Sequence, residues 1–152
     1  MLGLKDNYTN EIIDKLNAYL SNVQVTYMNV RGYHWNITGK QFFALHEKFE
    51  EAYDKLNEMA DEIAERILML GGKPLHSFSD YLKITSVKER LNVSTADDTV
   101  KSFLEDIAIL LENERDILSL ASENDDEGTV GLMSEYIGEQ EKTIWMFNAL
   151  LK

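Results

Sequence analysis

The longest uninterrupted helical pattern in this sequence runs from Gln41 to Leu70 and contains neither Gly nor Pro. Across it, apolar residues recur in steps of three and four, at positions 42, 45, 49, 53, 56, 60, 63, 67 and 70. This spacing predicts one amphipathic helix of about eight turns. We expect the rest of the chain to be arranged around this helix.

Four potential metal ligands lie on the same helix outside its apolar stripe: His46, Glu50, Asp61 and Glu65. Each pair is spaced i, i+4, so its two side chains share one helical face, about 6 Å apart. Imidazole and carboxylate at that separation suit a divalent first-row metal such as iron, manganese or zinc. Eleven residues separate Glu50 from Asp61, a rise of roughly 16 Å. One metal site cannot span that distance within one helix.

A two-fold axis would bring the two pairs together. In two antiparallel copies of the helix, facing residues have numbers with a constant sum, and His46 with Glu65 gives 111, as does Glu50 with Asp61. A dyad near residues 55 and 56 would therefore build two identical four-ligand sites between subunits. Two-fold dimers are the commonest symmetric assembly. The coincidence can also be accidental, because this helix is rich in carboxylates.

A first helix is predicted from about residue 8 to Asn36, ending before Gly39, a residue type that favours the left-handed backbone found past helix ends. His34 lies on its last turns, twelve residues before His46. A helical hairpin would put both histidines at one end of the molecule, which makes His34 a candidate fifth ligand. The alternative is a packed core histidine next to Trp35.

Composition supports an all-helical domain over residues 1–152. The chain has one Pro, no Cys and 44% hydrophobic residues, so it lacks a disulfide framework or a thiolate site. With no apolar run typical of a signal peptide or a membrane span, we expect a cytoplasmic protein. The net charge of −12 argues against binding to a phosphate backbone and suits cationic ligands, although it also simply favours solubility.

The second half of the chain predicts two more long helices. Residues 73–94 form a long connection, in which 78–83 are expected to form a short helix and His76 to be a loop residue. A third helix begins near Thr95, with capping boxes, and ends near residue 122. After an acidic turn at 123–128, a fourth runs over 129–151. A crossover this long is typical of ferritin-like four-helix bundles.

Several of these residues closely resemble the Dps family of mini-ferritins. They are the run Asn-Val-Arg-Gly-Tyr-His-Trp-Asn at 29–36 and, beyond it, Leu45-His46, Asp61 and Ala64-Glu65-Arg66. The resemblance extends over essentially the whole chain. It implies subunits assembled as hollow shells of twelve, a dodecamer, with ferroxidase centres at two-fold interfaces.

The resemblance also implies the ligands and the reaction. His34, His46 and Glu50 would come from one subunit, and Asp61 with Glu65 from its partner. The centre would bind one or two iron ions and oxidise Fe(II) with hydrogen peroxide, which protects against oxidative stress. Ferric mineral would be stored inside, with the acidic side chains of residues 47, 51, 54 and 58 as candidate nucleation sites or as a plain solvated face. Trp35 would donate electrons to stray radicals, or pack in the core.

Three features depart from the family pattern. Asp is common where this chain has Glu50, and the extra methylene is expected to alter metal spacing or occupancy. The first ten residues contain only Lys5 as a basic residue, in place of a Lys-rich, DNA-binding tail. The pore motif Asp-x-x-Thr-x-Asp is replaced by one ending in Gly131, which leaves Asp125, Asp126 and Glu127 as substitute pore acids or as ordinary turn acids.

Two other functions remain open from the sequence. One is a nucleoid protein that coats DNA, which the net charge and the absent basic tail disfavour. The other is a helical bundle whose carboxylates are only surface residues. An iron centre within one subunit, as in larger ferritins, is not expected, because no Glu precedes a His by three residues.

Overall fold

The computed structural model of the chain describes residues 2–152. Its secondary structure consists of helices, with no strand in that range. In chain order the helices are α1 (Asp6–Asn36), α2 (Phe42–Met69), α3 (Phe78–Ile84), α4 (Ala96–Glu123) and α5 (Glu127–Leu150). The predicted four long helices and the short helix in the crossover are confirmed, and none of the five is long and apolar enough to span a membrane.

The bundle is held together by an apolar core between two helical hairpins. α1 packs on α2, α4 packs on α5, and α1 joins the two hairpins by also packing on α4. Phe49, fully buried, lies within 6 Å of the ring centroids of Tyr33, Phe103 and Phe147. Burying side chains of this size contributes about 1.5–3 kcal/mol each. The apolar stripe of α2 is therefore the centre of the core, as its spacing predicts.

Glycines define both ends of α2. Gly39 has φ +102° before the helix and Gly71 has φ +88° after it, conformations that L side chains rarely adopt. At Gly72 a Cβ would lie 2.8 Å from Cγ2 of Ile13, so α1 passes close to this turn. The two α2 ends are thus fixed by backbone conformations that the sequence predicts.

Two buried asparagines of α1 hold the long crossover in place. Asn22 Oδ1 accepts hydrogen bonds from the Thr85 hydroxyl (2.8 Å) and the Ser86 amide (2.9 Å). Asn29 donates to the Lys88 carbonyl (2.8 Å) and accepts from the Arg90 amide (2.9 Å). Backbone groups in a loop need partners when they lie against a core. These side chains therefore explain how a long connection can stay ordered along α1.

The turn between α4 and α5 is shorter than predicted. The expected break at 123–128 is only residues 124–126, because α5 begins at Glu127. Asp126 caps this helix by accepting from the Thr129 amide (3.1 Å). Thr95 caps α4 in the same way through the Asp98 amide (3.1 Å), where the sequence predicts a cap. His76 is an exposed loop residue, also as predicted.

Candidate metal centre

The histidines of α1 and α2 lie face to face. The hairpin closes at residues 37–41, so the last turn of α1 meets the first turns of α2. The rings of His34 and His46 are stacked, with centroids 3.8 Å apart and planes inclined by 13°. Each Nδ1 contacts the backbone carbonyl of the other residue, at 2.6 Å for His34 and 2.7 Å for His46.

These reciprocal contacts indicate the tautomer of both rings. A carbonyl oxygen can only accept, so each Nδ1 must carry a hydrogen. In a neutral imidazole the lone pair then lies on Nε2, the nitrogen available to a metal ion. The His34 carbonyl is free for this contact because the Thr38 amide bonds to Ser94 instead of to the helix. The orientation of both rings is therefore set by contacts within the chain itself.

Aromatic neighbours restrict the two rings further. Phe42 stacks on His46 with centroids 4.9 Å apart, and Tyr53 contacts His34 edge to face at 5.3 Å. His34 is only 7% exposed. His34 is therefore buried, as the predicted alternative of a packed histidine requires. The packing does not, however, engage the lone pair on its Nε2.

The three carboxylates of the predicted site are exposed on α2. Glu50 accepts a long hydrogen bond of 3.5 Å from the Tyr53 hydroxyl. Asp61 and Glu65 form no side-chain hydrogen bond or ion pair within residues 2–152. Nor does any group of three or more His, Asp and Glu side chains in that range converge on one point. A single subunit brings His34 and His46 together but does not bring Asp61 and Glu65 to them.

Trp35 is not part of the subunit's core. Its side chain is 57% exposed, and the guanidinium of Arg31 lies 4.7 Å from its ring centroid. The same guanidinium is 5.4 Å from the ring of Tyr53 and donates to the Tyr27 hydroxyl (3.0 Å). Sequence reasoning missed this aromatic cluster, although the i, i+4 spacing of Tyr27, Arg31 and Trp35 indicates it.

Asp126 is a structural acid, which excludes it as a substitute pore acid. It is 2% exposed and accepts hydrogen bonds from Tyr8 (2.6 Å) and Thr129 (2.7 Å), and its ion pair with Arg66 measures 2.6 Å. Burial alone would raise the pKa of Asp126, but these hydrogen bonds and the Arg66 charge outweigh it and lower the pKa. Asp125 and Glu127, in contrast, are exposed.

The ion pair depends on a glycine. A Cβ at Gly128 would lie 2.8 Å from the guanidinium nitrogens of Arg66. Arg66 therefore reaches Asp126 across a position without a side chain. Arg66 directly follows Glu65 in α2. Arg66 points into the bundle, whereas Glu65 points out of it.

Together, the α-helical bundle with its crossover helix and the i, i+4 pairs His46/Glu50 and Asp61/Glu65 on α2 define a ferritin-like protein. Residues 13–152 match the family model described as a ferritin-like domain. A Porphyromonas gingivalis protein named "DNA protection during starvation protein" is 45% identical over 97% of this chain and 92% of its own length. The chain belongs to the Dps family.

Solved structures agree with this assignment. A Dps crystal structure from Vibrio cholerae is 51% identical, with a TM-score of 0.98 over 100% of this chain and 96% of that one. That protein is described as a member of a broad superfamily of ferritin-like diiron-carboxylate proteins. A Dps protein from Bacillus brevis is 33% identical, with a TM-score of 0.93 over 98% of this chain and 100% of that one.

Proposed function

We propose that the protein is an iron-storing ferroxidase that protects against oxidative damage. Family membership suggests iron storage and oxidative protection. The observation that most supports a ferroxidase is the reciprocal bonding of His34 and His46, which leaves an Nε2 lone pair on each ring. Exposed carboxylates follow on the same helix. Together they form the nitrogen and oxygen donor set that Fe(II) accepts.

In the proposed centre, His34, His46 and Glu50 bind Fe(II) from one subunit, while Asp61 and Glu65 bind from its two-fold partner. Asp61 and Glu65 have no competing partner within residues 2–152, so they are free to do so. Similarity to Dps structures implies a homo-oligomer, and a dodecamer built from such dimers is the proposed assembly. The proposal agrees with the register in which facing residue numbers sum to 111.

The proposed oxidant is hydrogen peroxide. Two Fe(II) ions each give one electron to one peroxide, which takes up two protons and leaves as two waters, while both irons become Fe(III). Because the O–O bond is cleaved by two electrons, no hydroxyl radical is released. The carboxylates stabilise Fe(III) more than Fe(II) and so favour the oxidation. Trp35, exposed next to His34, is proposed as an electron donor to stray radicals.

Ferric product is proposed to accumulate on acidic side chains of α2. The acids at positions 47, 51, 54 and 58 are all exposed. Two of these acids are weaker candidates for nucleation, because Glu51 pairs with Lys48 at 2.9 Å and Glu58 lies 3.9 Å from Lys55. Glu47 and Asp54 are therefore the better candidates for nucleation.

The reaction is tested by loading the protein with Fe(II) without oxygen and adding hydrogen peroxide in steps. We expect fast growth of ferric-oxo absorbance that saturates at about half an equivalent of peroxide per iron. The particle mass, measured in parallel, should correspond to about twelve chains. Oxidation no faster than that of free iron would contradict the ferroxidase proposal, and a monomer would contradict the shared centre.

Mixed shells test whether the centre is shared. A His46→Ala subunit and an Asp61→Asn subunit are each inactive in this proposal. A dimer of one with the other contains one intact centre and one doubly altered centre, since each centre takes ligands from both chains. Random 1:1 reassembly should therefore restore about a quarter of the wild-type centres. If no activity is recovered, all ligands of a centre must come from one chain.

A DNA-coating role is the alternative, suggested by the name of the Porphyromonas gingivalis relative. The net charge of −12 disfavours it, because binding to DNA depends on Lys and Arg near phosphates. A gel shift at low salt separates the two functions. Retardation of DNA by this protein would contradict the charge argument, whereas ferroxidase activity without retardation supports the proposal above.

A further inference from the structure

A polar cluster lies inside the bundle, away from the candidate metal centre. Its central group is Glu114 of α4, which is 0% exposed. α1 contributes Tyr19 and α5 contributes Gln140, and both donate hydrogen bonds to Oε1 of Glu114, at 2.6 Å and 2.5 Å. Neither residue is part of the proposed ferroxidase chemistry. The cluster therefore needs an explanation of its own.

Two polar atoms of this cluster lack a hydrogen-bond partner if Glu114 is an ionised carboxylate. Its second oxygen, Oε2, is buried and has no partner, and neither does Oε1 of Gln140. Both atoms would then be buried acceptors without a hydrogen-bond donor, which is unfavourable. Buried polar atoms without any hydrogen-bond partner are uncommon in folded proteins.

One proton on Glu114 would give both atoms a partner. The carboxamide of Gln140 is already joined to the carboxyl of Glu114 by the bond from Nε2 to Oε1. A hydrogen on Oε2 would then point to Oε1 of Gln140 and close a cyclic acid–amide pair. We propose that Glu114 is a neutral carboxylic acid paired with Gln140, and that its ionisation in alkaline solution is a switch that loosens α5 from the bundle.

The charges around the pair agree with a neutral acid. Burial raises the pKa of Glu114 to about 8, although Tyr19, Arg115 and Gln140 each lower it. From α2, Glu62 adds negative charge near the cluster, since it raises the pKa of the buried Tyr136. Lys55, also on α2, lies 5.9 Å from the ring centroid of Tyr136, but it already pairs with Glu139 at 3.1 Å. Arg115, the cation that lowers the pKa of Glu114, is itself paired with the Glu141 carboxylate.

A crevice between α2 and α5 indicates that the switch would loosen α5. Gln140 lines this crevice together with Met59 and Phe147, and Lys55 with Glu139 lies on its wall. An ionised Glu114 requires water or a cation, and the crevice is the path that reaches its partner Gln140. Ionisation should therefore admit water beside α5 and weaken its packing, beginning around Gln140.

Infrared spectroscopy of protein labelled with carbon-13 glutamate tests the neutral acid directly. At about pH 6.5 exposed glutamates are ionised, so a labelled, protonated carboxyl band should belong to a buried glutamate. We expect this band in the wild type, its loss above about pH 8, and its absence in Glu114→Gln. A wild-type spectrum without the band at pH 6.5 would overturn the proposal, whatever the variants do.

Urea unfolding as a function of pH tests the switch. The folded state holds the proton up to a pKa of about 8, whereas the unfolded chain releases it near 4.5. Stability should therefore fall as pH rises through this window, by up to about tenfold in the folding equilibrium constant per pH unit. Glu114→Gln keeps a donor for Gln140 and should remove this part of the slope. The exposed Glu112→Gln is the matched control and should keep it.

Two further results complete the test. Tyr19→Phe removes a hydrogen bond that favours the ionised form, so loss of the infrared band should move to higher pH. Amide hydrogen exchange in residues 136–147 should speed up between pH 6.5 and 9 in the wild type beyond the intrinsic increase, and not in Glu114→Gln. An identical pH profile in the wild type and Glu114→Gln would overturn the switch.

Discussion

At the first turns of α2, the His46 ring is stacked on His34 and its Nδ1 is bonded to a backbone carbonyl. Four turns later, Asp61 and Glu65 extend from the same helix without any partner in the described chain. The histidine end is complete within one subunit, and the carboxylate end is not. In the proposed centre, folding of one subunit orients the two histidines, whereas assembly has to supply Asp61 and Glu65.

A second contrast lies within the carboxylate end itself. Glu65 is exposed, while the next residue, Arg66, points inward to the buried Asp126. Asp126 faces the bundle, and its hydrogen bonds and ion pair serve stability. Glu65 faces outward and, in the proposed centre, binds iron. Substitutions at Asp126, Asp61, Glu50 and Trp35 test the contrast between structural and iron-binding residues, with expected effects that decrease in that order.

Asp126→Ala should destabilise the subunit most. It leaves the Arg66 charge without its partner and removes the cap of α5, at a cost of about 3–5 kcal/mol. Urea unfolding of the assembled protein measures the loss. Glu123→Ala, an exposed acid at the end of α4, is the control and should change stability by less than about 0.5 kcal/mol. Equal effects of both substitutions would contradict a structural role specific to Asp126.

Asp61→Asn should reduce the oxidation rate and leave stability unchanged. The rate of peroxide-dependent Fe(II) oxidation should fall at least about 100-fold, because a charged oxygen ligand becomes a neutral one. The unfolding midpoint should stay unchanged, since this side chain has no partner within its own chain. Asp14→Asn on the exposed face of α1 is the matched control. A loss of stability without a loss of oxidation rate would contradict the role of Asp61 as an iron ligand.

Substitutions at Glu50 should have a graded effect. Glu50→Asp keeps the carboxylate and shortens it by one methylene, so we expect a change in oxidation rate of less than about tenfold. Glu50→Gln removes the charge and should slow the reaction by more than that. Titration of Fe(II) binding under anaerobic conditions shows whether the number of bound ions changes as well. Equal rates for both variants would mean that Glu50 is not a ligand.

Trp35→Phe should affect the oxidation rate least, within about twofold, because the Trp35 side chain is exposed and binds no iron in the proposed centre. Its role as an electron donor is measured separately, by mass spectrometry of oxidised peptides after repeated peroxide additions. We expect oxidation at Trp35 in the wild type and new damage elsewhere in the variant. Unmodified Trp35 after many turnovers would contradict that role.

Much of the fold follows from the sequence alone. The steps of three and four in residues 42–70 define α2 and the side it buries, and Gly39 and Gly71 define its ends. These features depend on neighbours within a few residues along the chain, which is why a pattern can report them. The proximity of His34 and His46 follows in the same way, from a short hairpin between two helices.

The environment of individual polar groups was decided only by the tertiary structure. Glu114 lies between Leu110 and Ile117, at the spacing of the buried face of α4, so its position could have indicated a buried acid. Nothing in that spacing names Tyr19 or Gln140 as its partners, because they lie 95 and 26 residues away.

Asp126 and Trp35 illustrate the same limit. An acidic turn gives no sign that one acid is buried against Arg66, and a tryptophan beside a histidine gives no sign that it is exposed. Burial and hydrogen bonding depend on groups that are distant in sequence, and they set protonation and availability for ligands. The sequence by itself therefore determined the helices and the candidate ligands, and only the packing of the helices decided which acids are satisfied and which remain free.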